Sequence, residues 1–203
     1  MRKKILLLVC VAAAASVSFA QTLSRDWNTT IGELRTNAFD DDLVHIDAAG
    51  NTYVTGIFTE DTSVGSAYLE QLGERTYLAK LNSAGTVQWA VALQGYVTPK
   101  QITTDSDGNI YIACICDGEE IILGSTDGAN KTLTGNDAYG DQFNTIVAKY
   151  NADGVLKGSD IYLHDADDWM GMAKVEPVGL TVQNNTVYLA LSVAGDVEVG
   201  NTT

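Results

Sequence analysis

Proline is nearly missing from this sequence, with two in 203 residues, and histidine is as scarce. Scarce proline excludes stiff extended linkers, and with glycine scattered evenly no composition break divides the chain into domains. Basic residues are few: 12 Lys and Arg face 26 Asp and Glu, for a formal charge of −14. Binding to nucleic acid needs a basic stripe, so that class is excluded, and docking on anionic lipid is disfavoured for the same reason. Cysteine is limited to three. Cys114 and Cys116 stand at i and i+2 of one extended run, where a direct disulfide is geometrically poor, so they read as buried free thiols. A zinc site would need two more ligands, and His45 and His164 are the only histidines. The signatures G-x-S-x-G and H-E-x-x-H, a phosphate loop and a glycine-rich dinucleotide motif are all missing, which leaves no catalytic motif.

Long apolar runs are also missing, apart from Ile5–Ala15. That run is shorter than the roughly 20 residues that cross a bilayer, so no membrane insertion is expected. It follows Arg2, Lys3 and Lys4 and precedes Ser18-Phe-Ala20, a small-x-small cleavage pattern. Residues 1–20 therefore read as a signal peptide, with Gln21 as the mature N-terminus and the protein in the periplasm, on the outer surface or secreted. Removing three basic residues makes the mature chain more acidic still.

What the sequence does hold is a repeat. Asp47-Ala-Ala-Gly50-Asn51-Thr-Tyr53-Val-Thr-Gly56 returns as Asp105-Ser-Asp-Gly108-Asn109-Ile-Tyr111-Ile-Ala-Cys114. A worn copy follows at Val182-Gln-Asn-Asn185-Thr186-Val-Tyr188-Leu-Ala-Leu191. A second phrase recurs as well: Thr76-Tyr77-Leu-Ala-Lys80-Leu-Asn82-Ser-Ala-Gly85-Thr-Val-Gln-Trp89 matches Thr145-Ile146-Val-Ala-Lys149-Tyr-Asn151-Ala-Asp-Gly154-Val-Leu-Lys-Gly158. The spacing between copies varies while the phrases keep their length, so insertions collect in 59–75, 94–100, 117–143 and 164–176 and the strands do not change. Each phrase is β-branched or apolar and bounded by Gly, Asn and Asp, as strands are. Gly50, Gly85, Gly108 and Gly154 fall where a tight turn requires positive φ, and Asn185 fills that slot in the third copy.

Four strands per unit, A to D, follow: 43–47, 52–58, 76–81 and 86–93 in the first, and 101–105, 109–116, 145–150 and 155–163 in the second. The fold class is all-β, with four-stranded antiparallel meanders in series. These are β-propeller blades, or the hairpins of an open sandwich or solenoid. The motifs resemble the bacterial β-propeller repeat family, whose blades read D-x-x-G-N-x-Y-V-T-G and then V-A-K-Y/L-N-x-x-G-x-x-W. The resemblance covers most of 26–203 and implies an exported surface protein. Departures occur where Gly158 stands for Trp89 and Cys114 for Gly56.

The count gives blade 1 at 43–93, blade 2 at 101–163 and a partial blade 3 at 178–203. Asp26-Trp27-Asn-Thr-Thr-Ile31 aligns with strand D and makes 25–31 an orphan closing strand. Asp196-Val-Glu-Val-Gly200 matches Glu120-Ile-Ile-Leu-Gly124. An incomplete ring of about two and a half blades is expected, with the remaining blades supplied by the same protein.

Two constellations invite a ligand. Asp105-Ser-Asp107-Gly108-Asn109 opens like a calcium loop but lacks the glycine and glutamate that such a loop needs, so it reads as a hairpin turn. His164, Asp165, Asp167, Asp168 and Trp169 form the densest polar cluster; it would suit a sugar or a divalent cation such as calcium, against the plainer reading of a solvated acidic loop. Asp40, Asp41 and Asp42 share its loop class. The B–C and D–A loops should share one rim, opposite the tight turns, and function collects on such loops. No cofactor is expected. The functional expectation is a non-enzymatic scaffold binding a glycan or protein on that rim. Alternatives are a structural spacer, or a glycan-active hydrolase or lyase with carboxylates drawn from several blades.

Overall fold

A computed structural model describes residues 43–58, 60–70, 75–136, 143–164, 173–195 and 197–199. The leader at 1–20, the strand at 25–31 and Asp40–Asp42 lie outside these residues. Every regular element among the described residues is a strand, and no helix there is long and apolar enough to cross a membrane.

The first unit runs β1 (Val44–Ile46), β2 (Thr52–Phe58), a small hairpin β3 (Thr62–Val64) and β4 (Ala67–Leu69), then β5 (Arg75–Leu81) and β6 (Val87–Thr104). The second continues from β6 into β7 (Ile110–Leu123), β8 (Lys131–Thr134), β9 (Asn144–Tyr150) and β10 (Leu156–His164). The third provides β11 (Lys174–Gln183), β12 (Thr186–Ala194) and β13 (Val197–Val199). Neighbours pair antiparallel in the order β1-β2-β5-β6-β7-β9-β10-β13, with β8 on β7; β11 and β12 pair with each other. The large sheet is open, with β1 and β13 as its ends.

Two expectations change. Residues 94–100, expected as a loop, belong to the 18-residue strand β6, which is both D strand of the first unit and A strand of the second. Tyr96 to Pro99 pair with Asp117 to Cys114, so the backbone there keeps its partners while it turns the corner. The corner is made by register shifts at Gln94/Tyr96 and Pro99/Gln101. Gly95 takes φ +98, and a Cβ there would lie 2.9 Å from the Glu120 carbonyl oxygen. Likewise, 59–75 carries the β3–β4 hairpin; in 117–143 the phrase Glu120–Leu123 closes β7 and pairs with β8. The first of these corrections removes 94–100 from the expected rim of loops.

The central strands are buried nearly without a break, β2 and the first half of β7 among them, as strands covered on both faces are. Tyr53, Leu78, Trp89 and Val91 of the first unit join Ile110, Ile112, Cys114, Ile146, Ala148 and Tyr150 of the second in one core. Val54, Phe58, Tyr77, Ala79 and Leu81 form another core with Val64 and Leu69 of the β3–β4 hairpin. Each fully buried Leu or Ile stabilises by about 1.5–3 kcal/mol. Cys114 and Cys116 are free and buried, as expected, and burial pushes both thiols well up, so neither is a nucleophile at neutral pH.

Candidate functional site

The polar letters of the repeat build its turns. The Asp47 carboxylate accepts from the backbone N–H of Ala49 and Asn51 at 2.9 and 2.8 Å, from Asn51 Nδ2 at 2.8 Å and from the Tyr53 hydroxyl at 3.0 Å. Asp105 repeats this with Asp107, Asn109 and Tyr111 at 3.0, 2.9, 2.8 and 3.0 Å. Partial burial would raise both carboxyls, but the Asn, Tyr and backbone donors outweigh it and hold them below the ordinary value. With four donors satisfied inside its own turn, the Asp105 carboxylate acts as a lock on that hairpin. Asn82 and Asn151 do the same for the C–D turns, accepting from Ala84 and Thr86 and from Asp153 and Val155. Gly50, Gly85, Gly108 and Gly154 all take φ near +80, and Asn185 takes φ 60, as the turns require.

A second set of bonds ties one unit to the next. Thr76 Oγ1 donates to the Val97 carbonyl, and its equivalent Thr145 Oγ1 donates to the Val175 carbonyl at 2.6 Å. At the first junction Lys80 Nζ and Trp89 Nε1 both donate to the Ala152 carbonyl, at 2.9 and 3.0 Å. That carbonyl lies in the C–D turn of the second unit, so one cation and one indole clamp the neighbour's turn. Trp89 is buried against Gly154, where a Cβ would come within 2.7 Å of the ring.

The second junction keeps the threonine stitch and loses the clamp. Gly158 stands where Trp89 does, and Asp160 where Val91 does; nothing lies within 4 Å of a Cβ built at Gly158. The result is a cleft of about 490 Å³ between the second unit and the β11–β12 hairpin. Tyr111, Lys149, Ser159, Asp160 and Tyr162 line one wall and Val187 and Leu189 of β12 the other, with Lys131 from β8 beside them. Lys149 Nζ lies 5.1 Å from the Tyr111 ring centre. Its pKa is raised, first by the Tyr111 hydroxyl and then, against mild burial, by Asp105 and Asp107, so it is a firm cation. Burial and then Asp160 raise the Tyr162 phenol. The Ser159 hydroxyl oxygen is buried and has no hydrogen-bond partner among the described residues. A cation, a carboxylate and two phenols beside apolar side chains suit an amide-bearing or hydroxyl-bearing ligand.

Of the cluster expected at 164–169, only His164 lies within the described residues; Asp165, Asp167, Asp168 and Trp169 lie outside them. His164 closes β10 with 1% of its surface exposed. Its backbone N–H donates to Asn144 Oδ1 at 3.2 Å and its carbonyl accepts from Asn136 Nδ2 at 2.7 Å, while Asn144 Nδ2 donates to the Asn136 carbonyl at 2.9 Å. These bonds make its surroundings a structural knot beneath the surface. The cleft residues were not singled out from sequence, although the change of Trp89 to Gly158 was visible and marks the place.

In an alignment that takes in 53% of its length, the chain is 27% identical to an uncharacterized WD repeat-containing protein of Acanthamoeba polyphaga mimivirus. The match spans 9% of that protein. No protein family and no solved structure matches the chain.

Proposed function

We propose that this chain is a run of β-propeller blades serving as a non-enzymatic interaction scaffold, with the cleft between its second and third units as the binding surface. The observation that carries this reading is the repeated junction. Two units stack in one register, Thr76 on Val97 and Thr145 on Val175, yet the apolar plug at the first junction gives way to a lined cleft at the second. Four-stranded antiparallel units in series are how propellers are built, and WD repeats form such blades. The similarity to a WD repeat-containing protein supports the same reading and favours a protein ligand over a glycan. Export belongs to the proposal through residues 1–20, and N-terminal sequencing of exported protein should begin at Gln21.

The test is an array of peptides and glycans probed with the chain and with Gly158→Trp, which refills the cleft as Trp89 fills the first junction. Binding to peptides that is lost in Gly158→Trp is the expected result. Binding to glycans alone would reassign the ligand class. Equal binding by both forms, or none by either, would contradict the reading.

A further inference from the structure

The β12 strand has one partner, β11, and an outer edge that pairs with nothing among the described residues. Its side chains are exposed along its length: Tyr188 54%, Val193 48% and Val187 39%. The equivalent strands β2 and β7 are covered, with Tyr53 at 0% and Tyr111 at 3%.

What covers them is the same thing twice. β5 lies on β2 with Tyr53 opposite Lys80 and Val54 opposite Ala79. β9 lies on β7 with Tyr111 opposite Lys149 and Ile112 opposite Ala148. In both pairs the lysine amino group sits over the opposing tyrosine ring, at 5.7 and 5.1 Å. The following strand then returns through an Asn-x-x-Gly turn whose carbonyl, at Ala152, receives Lys80 from the unit before. Lys149 is the equivalent of Lys80 and faces the cleft, where a turn carbonyl of the next unit would lie.

We infer that the β12 edge and the cleft together receive a β-hairpin of the repeat's own third-and-fourth-strand chemistry. Such a hairpin carries a small residue and then a lysine on its first strand and an Asn-x-x-Gly turn. It adds antiparallel to β12 with its small residue opposite Leu189 and its lysine opposite Tyr188, and its turn carbonyl accepts from Lys149. Main-chain bonds along β12 supply affinity, and the Tyr188 and Lys149 contacts fix the register. This inference rests on the scaffold reading and names the partner of that same surface.

The probe is a labelled synthetic peptide of residues 144–163, titrated into the whole chain by fluorescence anisotropy. Saturable binding is expected, weakened at least tenfold by Lys149→Glu. A peptide with Ala148→Cys should form a disulfide with Leu189→Cys chain, whereas a peptide with Val147→Cys, shifted by one residue, should not. Circular dichroism of each variant checks that it remains folded, and Lys149→Met serves if Lys149→Glu does not. No saturable binding, or trapping without register preference, overturns the inference. So does exclusive formation of Leu189→Cys homodimers, which would give the edge to a second copy. If the peptide fails here while array ligands still bind in a Gly158→Trp-sensitive way, the hairpin is wrong and the scaffold reading stands; loss of both removes the scaffold as well.

Discussion

The junction between the first and second units and the junction between the second and third are built to one plan and finished differently. Both carry the threonine stitch, Thr76 to Val97 and Thr145 to Val175. Only the first carries the clamp in which Lys80 and Trp89 converge on Ala152. The third unit also lacks the carboxylate lock, since Val182 stands where Asp47 and Asp105 stand, and its Tyr188 is exposed where Tyr53 and Tyr111 are buried. The difference teaches that the backbone register survives without the polar lock and the plug, while the tight seal does not. A repeat can open a cleft at a junction by losing one indole.

The largest expected effect breaks the sealed junction. Trp89→Ala should destabilise by about 3–5 kcal/mol, through lost burial and a cavity, whereas Gly158→Ala, with open space around it, should stay within about 0.5 kcal/mol. Denaturant unfolding of both variants checks the contrast, and similar losses would erase it. Next come the turns: Gly108→Val forces a β-branched residue to φ +78 and should cost about 1–3 kcal/mol. At the equivalent place in the third unit, Asn185→Gly should be neutral or slightly stabilising, as thermal melts would record.

A smaller effect concerns the lock. Asp105 has its pKa lowered in the fold, so as the pH falls the unfolded chain takes up the proton first. The stability it contributes is complete above about pH 4, the ordinary aspartate value, and is lost as the pH falls through the lower folded value. Asp105→Asn should cost about 1 kcal/mol at neutral pH and flatten that part of the acid profile; an unchanged profile would mean the lock carries no weight. The smallest effect is expected at Tyr188→Thr, within about 0.5 kcal/mol for an exposed side chain; a loss like that of a buried tyrosine would mean that β12 is covered.

Much of this architecture could be read from the residues because the repeat's letters are its turn hardware. Asp47, Gly50, Asn51 and Tyr53 bond among themselves within one hairpin, so local sequence determines β1–β2 and, by repetition, the end of β6 with β7. The all-β class, the strand pairs and the positive-φ positions follow from this. Residues 94–100 misled because they lie in the variable spacing between copies, which reads as insertion and loop; here Gly95 and Pro99 bend a strand that the facing β7 keeps paired. The burial of His164 was not legible either. It depends on Asn136, which lies in the 117–143 insertion, and on Asn144, which opens β9 where the first unit has Arg75. The cleft was half legible: Gly158 departs from the repeat on the page, but that it leaves open space facing Val187 and Leu189 depends on contacts far apart in sequence.

Native-state hydrogen exchange, followed strand by strand, tests most directly the claim that a sealed pair of units carries a less enclosed third. The account predicts the slowest exchange in β5, β7 and β9, which have strands on both sides, and exchange in β12 faster by roughly two orders of magnitude or more. Protection of β12 equal to that of β9 would contradict it.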